Sequence, residues 1–357
     1  MSLTGKVLTV LGPRDPSELG MVLPHEQPLV DLRKLFSPPR PAFQDLVGDI
    51  SDLDLQIQNL GKIRQFPYAV RSNLFVDNVE EVASELALFK SLGGGALCDV
   101  SPVGVRVKRE CLPALSEQTG VHIIAGTAFY VDSLMPEEVK KMTVEEMRDH
   151  LVCEVMEGIG GVGGVRCGLI GEVGCSHPLT HHETRSLQAA AAAQQMTGAP
   201  LMIHPGANEA SPFAILDILE SCGADISRTV IGHMDRTVLR DEALLSLARR
   251  GAWLEYDLLG IEVSHYQSRW HMDFPSDAQK MDKIKLLIDN GFSDRLLMSR
   301  LLMSQDIHTK HRMACYGGHG YGHLLQVVLP SLAERGVHKS MLTQLTTTNP
   351  QKWLTFA

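Results

Sequence analysis

The sequence predicts an α/β protein, a (β/α)8 barrel, and three observations carry that prediction. From about residue 95 onward, short apolar runs alternate with helix-length stretches. The gaps hold one crossover helix each: Glu172 and His204 are 32 residues apart, His204 and His233 29. Such crossovers make right-handed βαβ units and a parallel sheet. Finally, five acidic or imidazole residues stand at or just past the ends of the runs. That is the face on which barrels of this kind gather their chemistry.

The first strand is Met21–Leu23, followed by Pro24 and His25. Pro38 to Leu74 is bounded by prolines and partly helical. It reads as an insertion after strand 1, at about 31–80, within a single domain covering 1–357. Further strands are predicted at Ala96–Val100, Val121–Ala125, Cys167–Ile170, Leu201–Ile203, Thr229–Ile231 and Ala252–Leu254. A helix is predicted over Val144–Met156. Thr180 and Glu183 have capping-box spacing ahead of the Ala-rich Leu187–Met196, which Gly198 and Pro200 close. Asp241–Arg250 reads as a helix with Gly251 as its stop. Gly158 to Gly163 matches GxGxxG literally. It follows a helix and precedes a strand, the reverse of the dinucleotide-binding order, so it reads as a loop. Arg295–Ser299 and Arg300–Ser304 are both RLLMS. A five-residue slip would invert every side chain between core and outer face. The last strand is therefore expected at Arg300–Ser304, with the other copy lengthening the connection before it.

Composition narrows the function classes. An apolar share of 44% with only 5% aromatics suits helices on a buried parallel sheet. A net charge of −9 without runs of one sign argues against nucleic acid and anionic membranes as partners. The seven cysteines include no CxxC pair and read as free thiols in a reducing compartment. No signal-peptide shape or membrane-length apolar run is present, so a cytosolic location is expected. Oligomeric state is not readable.

His25, Glu172, His204, His233 and Asp306 are the candidate metal ligands. Three imidazoles and two carboxylates on one face suit two divalent cations. Such ions acidify a shared water and supply hydroxide near neutral pH; Asp306 is placed to take its proton and pass it to the leaving group. That chemistry serves amides, lactones and phosphoesters alike. Arg236 has two readings, a substrate anchor or the commoner ion pair with Asp235. His308 and His319 lie on the last loop, where one could touch substrate or steady Asp306. His181 and His182 sit in a helix cap and read as solvated.

The order of these motifs resembles the phosphotriesterase branch of the amidohydrolase superfamily, and within it the phosphotriesterase-related group. The resemblance runs from Gly5–Gly12 to Asn349-Pro350. It includes His25-Glu26-Gln27, Gly93–Ala96, Ala125–Tyr130, Gly171–Gly174, Ile203–Gly206, Gly232–Arg236, Asp306–Lys310 and Tyr316–Tyr321. It implies two cations, zinc foremost and manganese second, with Glu172 as a bridging carboxylate where bacterial members carry a carbamylated lysine. It also implies substrate contact by Tyr130 and hydrolysis of the amide of N-acetyltaurine and some N-acetyl amino acids. Arg236, His308 and Lys310 are candidates for meeting the sulfonate. The chain departs from the pattern at Gln27, where a second ligand histidine is expected. Lactonase or phosphoesterase activity, or a catalytically impaired scaffold, are the alternatives.

Overall fold

The computed structural model of the chain describes residues 2–267, 272–291 and 300–357. Eight strands form one sheet: β1 (Met21–Glu26), β2 (Gly94–Asp99), β3 (His122–Thr127), β4 (Leu169–Gly174), β5 (Leu201–His204), β6 (Thr229–Ile231), β7 (Trp253–Tyr256) and β8 (Leu301–Met303). They pair in chain order, and every pairing is parallel. Helices run between them: α1 (Val79–Ser91) before β2, then α2 (Leu112–Thr119), α3 (Val144–Met156), α4 (His181–Thr197), α5 (Ser211–Ser221), α6 (Asp241–Ala248) and α7 (Asp277–Gly291). A shorter helical series follows β8.

The strand sequences are apolar on both faces because both faces are covered. Val22, Cys98, Ile124, Leu169, Met202, Val230, Trp253 and Leu302, one from each strand, fill the barrel interior. Their neighbours Leu23, Leu97, Ile123, Ile170, Ile203, Ile231, Leu254 and Met303 pack outward in the larger core with the helices. At the start of α4 the capping box forms as read: Thr180 Oγ1 accepts from Glu183 N at 3.2 Å, and Glu183 Oε2 accepts from Thr180 N at 3.0 Å. Gly198 closes the helix at φ 71°, a left-handed cap that glycine adopts without strain. Gly158–Gly163 is a loop between α3 and β4, with no helix after it.

The ring is nearly closed. No ladder joins β1 to β8; other bonds bridge the seam. Ser304 Oγ accepts from His25 N at 3.1 Å and donates to His25 O at 2.9 Å. Asp306 N donates to His25 O at 3.0 Å. The strand expected at Arg300–Ser304 is therefore present as β8, and Arg295–Ser299 lies outside the described residues. The segment after β1 is pinched at its neck, where Val30–Asp31 pairs antiparallel with Phe75–Val76. Within it, Ile50, Ile63, Phe66, Ala69 and Val70 make a small core of their own.

Candidate metal centre and active site

All five predicted residues meet at the C-terminal rim of the barrel. His25 lies one residue before the end of β1, Glu172 lies in β4, and His204 closes β5. His233 and Asp306 follow β6 and β8 with φ of 57° and 47°. Left-handed backbone is rare for such residues and is retained only where the surroundings hold it, commonly at functional sites. Glu172 Oε2 is the hub: His204 Nδ1 lies 2.9 Å away, His25 Nε2 3.3 Å and His233 Nε2 3.5 Å. His233 Nε2 and His204 Nδ1 are 2.8 Å apart, and Asp306 Oδ1 is 4.0 Å from His25 Nε2. Among the described residues three overlapping triads offer ligand atoms within 4.8 Å of one another: His25, His233 and Asp306; Glu172, His204 and His233; and His25, Glu255 and Asp257.

A second layer orients the imidazoles. Asp257 Oδ1 stands 2.7 Å from His233 Nδ1, and Glu255 Oε2 stands 3.0 Å from His25 Nδ1. Each carboxyl fixes the Nδ1 edge of its imidazole, which leaves Nε2 facing the centre. Burial pushes the Glu255 carboxyl up to about 8. Burial also works against an ionised Asp257, but the imidazoles of His233 and His25 outweigh it and hold its carboxyl low. Glu26, likewise buried, accepts from Gln305 N and Ile307 N and so pins the β8 loop. None of these three acids was among the predicted site residues. Glu255 and Asp257 are two apart at the end of an apolar run, so period-two alternation puts both on one face. That signal was available.

Gln27 faces the centre, as alternation from His25 requires. Its Nε2 donates to Glu172 Oε1 and Asp306 Oδ1, each at 3.1 Å, while its Oε1 is buried without a partner. In this arrangement the amide hydrogens serve the two carboxylates, and the amide oxygen is the group left over.

The remaining candidates divide. Tyr130 lines the cavity over the centre, with its hydroxyl 3.4 Å from His204 Nδ1. His308 steadies Asp306: its Nδ1 is 2.7 Å from Asp306 O and 3.2 Å from Oδ2, and its Nε2 is 3.1 Å from Tyr68 Oη. Tyr68, from the segment after β1, was not predicted. His319 is turned away, between Gly320 O and the Arg312 guanidinium. Lys310 reaches Asp77 at 3.7 Å and does not line the cavity. Arg236 does not pair with Asp235, whose Oδ2 accepts from Asp257 N and Leu258 N. Arg236 Nη2 points instead to His204 Nε2, 3.1 Å away, and to Pro205 O. His182 is a further correction: only 3% exposed, it packs edge-on against Phe129.

The cavity above these residues has a volume of about 460 Å³, within the range of small-molecule sites. No described helix is long and apolar enough to cross a membrane.

Residues 5–354 match the model of the Phosphotriesterase family. The chain is 42% identical to N-acetyltaurine hydrolase of Xenopus tropicalis over 356 residues, 99% of each chain. It is equally similar, with the same coverage, to N-acetyltaurine hydrolase of Homo sapiens. Among solved structures it superposes on a resiniferatoxin-binding protein from Rhodobacter sphaeroides with a TM-score of 0.92, 32% identity and coverage of 99% and 98% of the two chains. The phosphotriesterase homology protein from Escherichia coli, at 23% identity and a TM-score of 0.75 over 96% of this chain and 100% of that one, shares the fold. By the reach of the sequence match and by its barrel, this chain belongs to the phosphotriesterase family and is a hydrolase of that metal-dependent group.

Proposed function

We propose that the chain is an amidase that hydrolyses N-acetyltaurine to taurine and acetate, with related N-acetyl amino acids as weaker substrates. One observation carries the reading: relatives alike to it across 99% of both chains are named for that reaction. The cofactors proposed are two divalent cations, with His25, Glu172, His204, His233 and Asp306 as ligands. The residues fit such a role. His25 Nε2 is buried without a hydrogen-bond partner, and two imidazole nitrogens crowd one carboxylate oxygen. A donor set of imidazoles and carboxylates favours zinc, with manganese second.

Bound cations of this kind polarise a carbonyl oxygen and acidify water. The chain's own groups do the rest. Asp306 accepts a proton from the attacking water and returns it to the departing nitrogen. His308 fixes the Asp306 carboxylate for that transfer and is itself held by Tyr68. Tyr130 bounds the cavity beside His204 and keeps its hydroxyl proton, because burial raises it well above the usual phenol range. All seven cysteines are unpaired, which supports the cytosol as the working compartment, and the cavity's size supports a small molecule as the partner.

A second reading rests on Gln27. Its amide hydrogens already occupy Glu172 and Asp306. A weakly held inner cation, and an impaired enzyme, would follow. The test is elemental analysis of protein purified without chelator, together with taurine release from N-acetyltaurine. Two ions per chain with turnover is expected. Less than one ion with no turnover overturns the amidase reading and leaves a binding scaffold.

A further inference from the structure

A buried cation needs a countercharge, and among the described residues one at this site pairs with no carboxylate. Arg236 is 5% exposed, and Asp235, beside it in sequence, turns one oxygen to the Asp257 and Leu258 amides and the other to no partner. Among the described residues Arg236 makes no ion pair with a carboxylate; its contacts are His204 Nε2, Pro205 O and Thr237 Oγ1. It is also the only arginine or lysine among the described residues that line the cavity. An uncompensated buried charge is strongly unfavourable, so such a group is retained where an anion completes it.

The contact with His204 points to the same conclusion. His204 turns Nδ1 toward Glu172 and His233, and Nε2 toward Arg236. If Nδ1 is a ligand atom, as the amidase reading requires, the neutral ring carries its hydrogen on Nε2. Nε2–H and the guanidinium Nη2–H then face each other as two donors 3.1 Å apart. Two donors at that distance have no bond to make with each other. An acceptor oxygen beside them satisfies both.

We infer that Arg236 and the Nε2–H of His204 together form the seat for the anionic end of the substrate, a sulfonate or carboxylate two carbons beyond the amide nitrogen. The oxygens of a sulfonate accept from both donors at once, and the guanidinium fork suits an oxyanion. Arg236 is on this account a specificity-determining residue that favours anionic amides over neutral ones.

The inference rests on the amidase reading for its substrate, so its test is built to fail separately. Calorimetry of taurine binding to the zinc-loaded protein reads the seat without turnover. Taurine should bind at least about 10-fold more tightly than propylamine, which lacks the sulfonate, a comparison that needs no variant. Arg236→Gln should weaken taurine by at least about 10-fold, the scale of one charged hydrogen bond, and Arg236→Lys should fall between the two. In kinetics, Arg236→Gln should raise KM for N-acetyltaurine by at least about 10-fold more than KM for N-propylacetamide, the matching neutral amide. Equal taurine and propylamine affinities in the natural protein would overturn the seat. So would equal losses for the two amides. Turnover of N-acetyltaurine with taurine affinity untouched by Arg236→Gln would remove the seat and leave the amidase reading standing. Taurine binding that depends on Arg236, with no hydrolysis, would do the reverse.

Discussion

Gln27 concentrates the chemistry of single residues at this site. A neutral amide is a weaker ligand than imidazole for zinc, and here its hydrogens are spent on two carboxylates. Replacing it by histidine removes that competition and adds a ligand nitrogen on the same face of β1. Gln27→His should tighten the weaker of the two cations by about 10-fold or more, since even indirect partners of a metal are worth 10–100-fold. Metal titration of both forms reads this directly; equal affinities would identify Gln27 as an adequate ligand. Asp306→Asn tests the proton transfer. It keeps the shape of the side chain but cannot accept the proton, so kcat should fall by at least ~10²-fold, measured across the pH range. At this scale the sequence was readable where a residue's own chemistry set it apart. The five ligand candidates stood at strand ends. Tyr68 and His182 could not be placed that way. Tyr68 reaches the site from a segment whose path depends on its own small core. His182 is buried by its packing on Phe129, although the cap itself suggested exposure.

Helices and strands are tied by a few buried charges. Glu154 on α3 takes Arg106 on both oxygens, at 2.6 and 2.7 Å, and accepts from Thr127 Oγ1 of β3 at 2.6 Å. Removing one partner of a buried pair leaves the other uncompensated. Glu154→Ala should therefore lower the unfolding free energy by roughly 3 kcal/mol, read by denaturant titration. Asp277, at the start of α7, binds Lys280, His323 Nε2 and the Gly260 amide in the loop after β7. Burial works against its charge, but His323 and Lys280 outweigh it and hold the carboxyl below the usual range. The folded value is lower than the unfolded one, so the unfolded chain protonates first as pH falls. The stabilisation is whole above about pH 4 and is lost as pH falls toward the folded value. Asp277→Asn should flatten the acid limb of the stability profile below about pH 4, and an unchanged slope would remove Asp277 from that account. Element boundaries in the sequence held where a local signal existed. Thr229–Ile231 and Val144–Met156 match as predicted, and the Thr180 box opens α4. β1 and β4 run further than their apolar runs because His25, Glu26 and Glu172 continue the extended chain. Their polar side chains hid that continuation.

For the whole molecule, the ligand candidates come from β1, β4, β5, β6 and β8, so they are together only in the folded chain. Cations held by them bind the native state alone and should raise its apparent stability by mass action. Stripping the protein with a chelator should lower Tm by several degrees in calorimetry, and restoring zinc should recover it. Glu172→Ala should abolish most of that recovery along with activity. A Tm indifferent to chelator would mean the barrel carries no such ions. The fold class was legible from spacing alone, because parallel strands with single crossovers leave few topologies. Closure of the ring was not legible, since a ladder-free seam bridged by Ser304 has no periodic signature.

That seam also decides when a newly made chain can first act. The bonds that shut it join Ser304 to His25 across 279 residues, and Asp306 comes out of the ribosome only after all eight strands have already appeared. Domains fold in the order of their synthesis where they can, and contacts of such long separation form last. A growing chain, or one cut short before residue 306, holds most of its imidazoles with neither the aspartate proposed to carry the proton nor a shut ring around them. On that proposal incomplete products of translation should be chemically silent, with hydrolysis withheld until the polypeptide is almost finished.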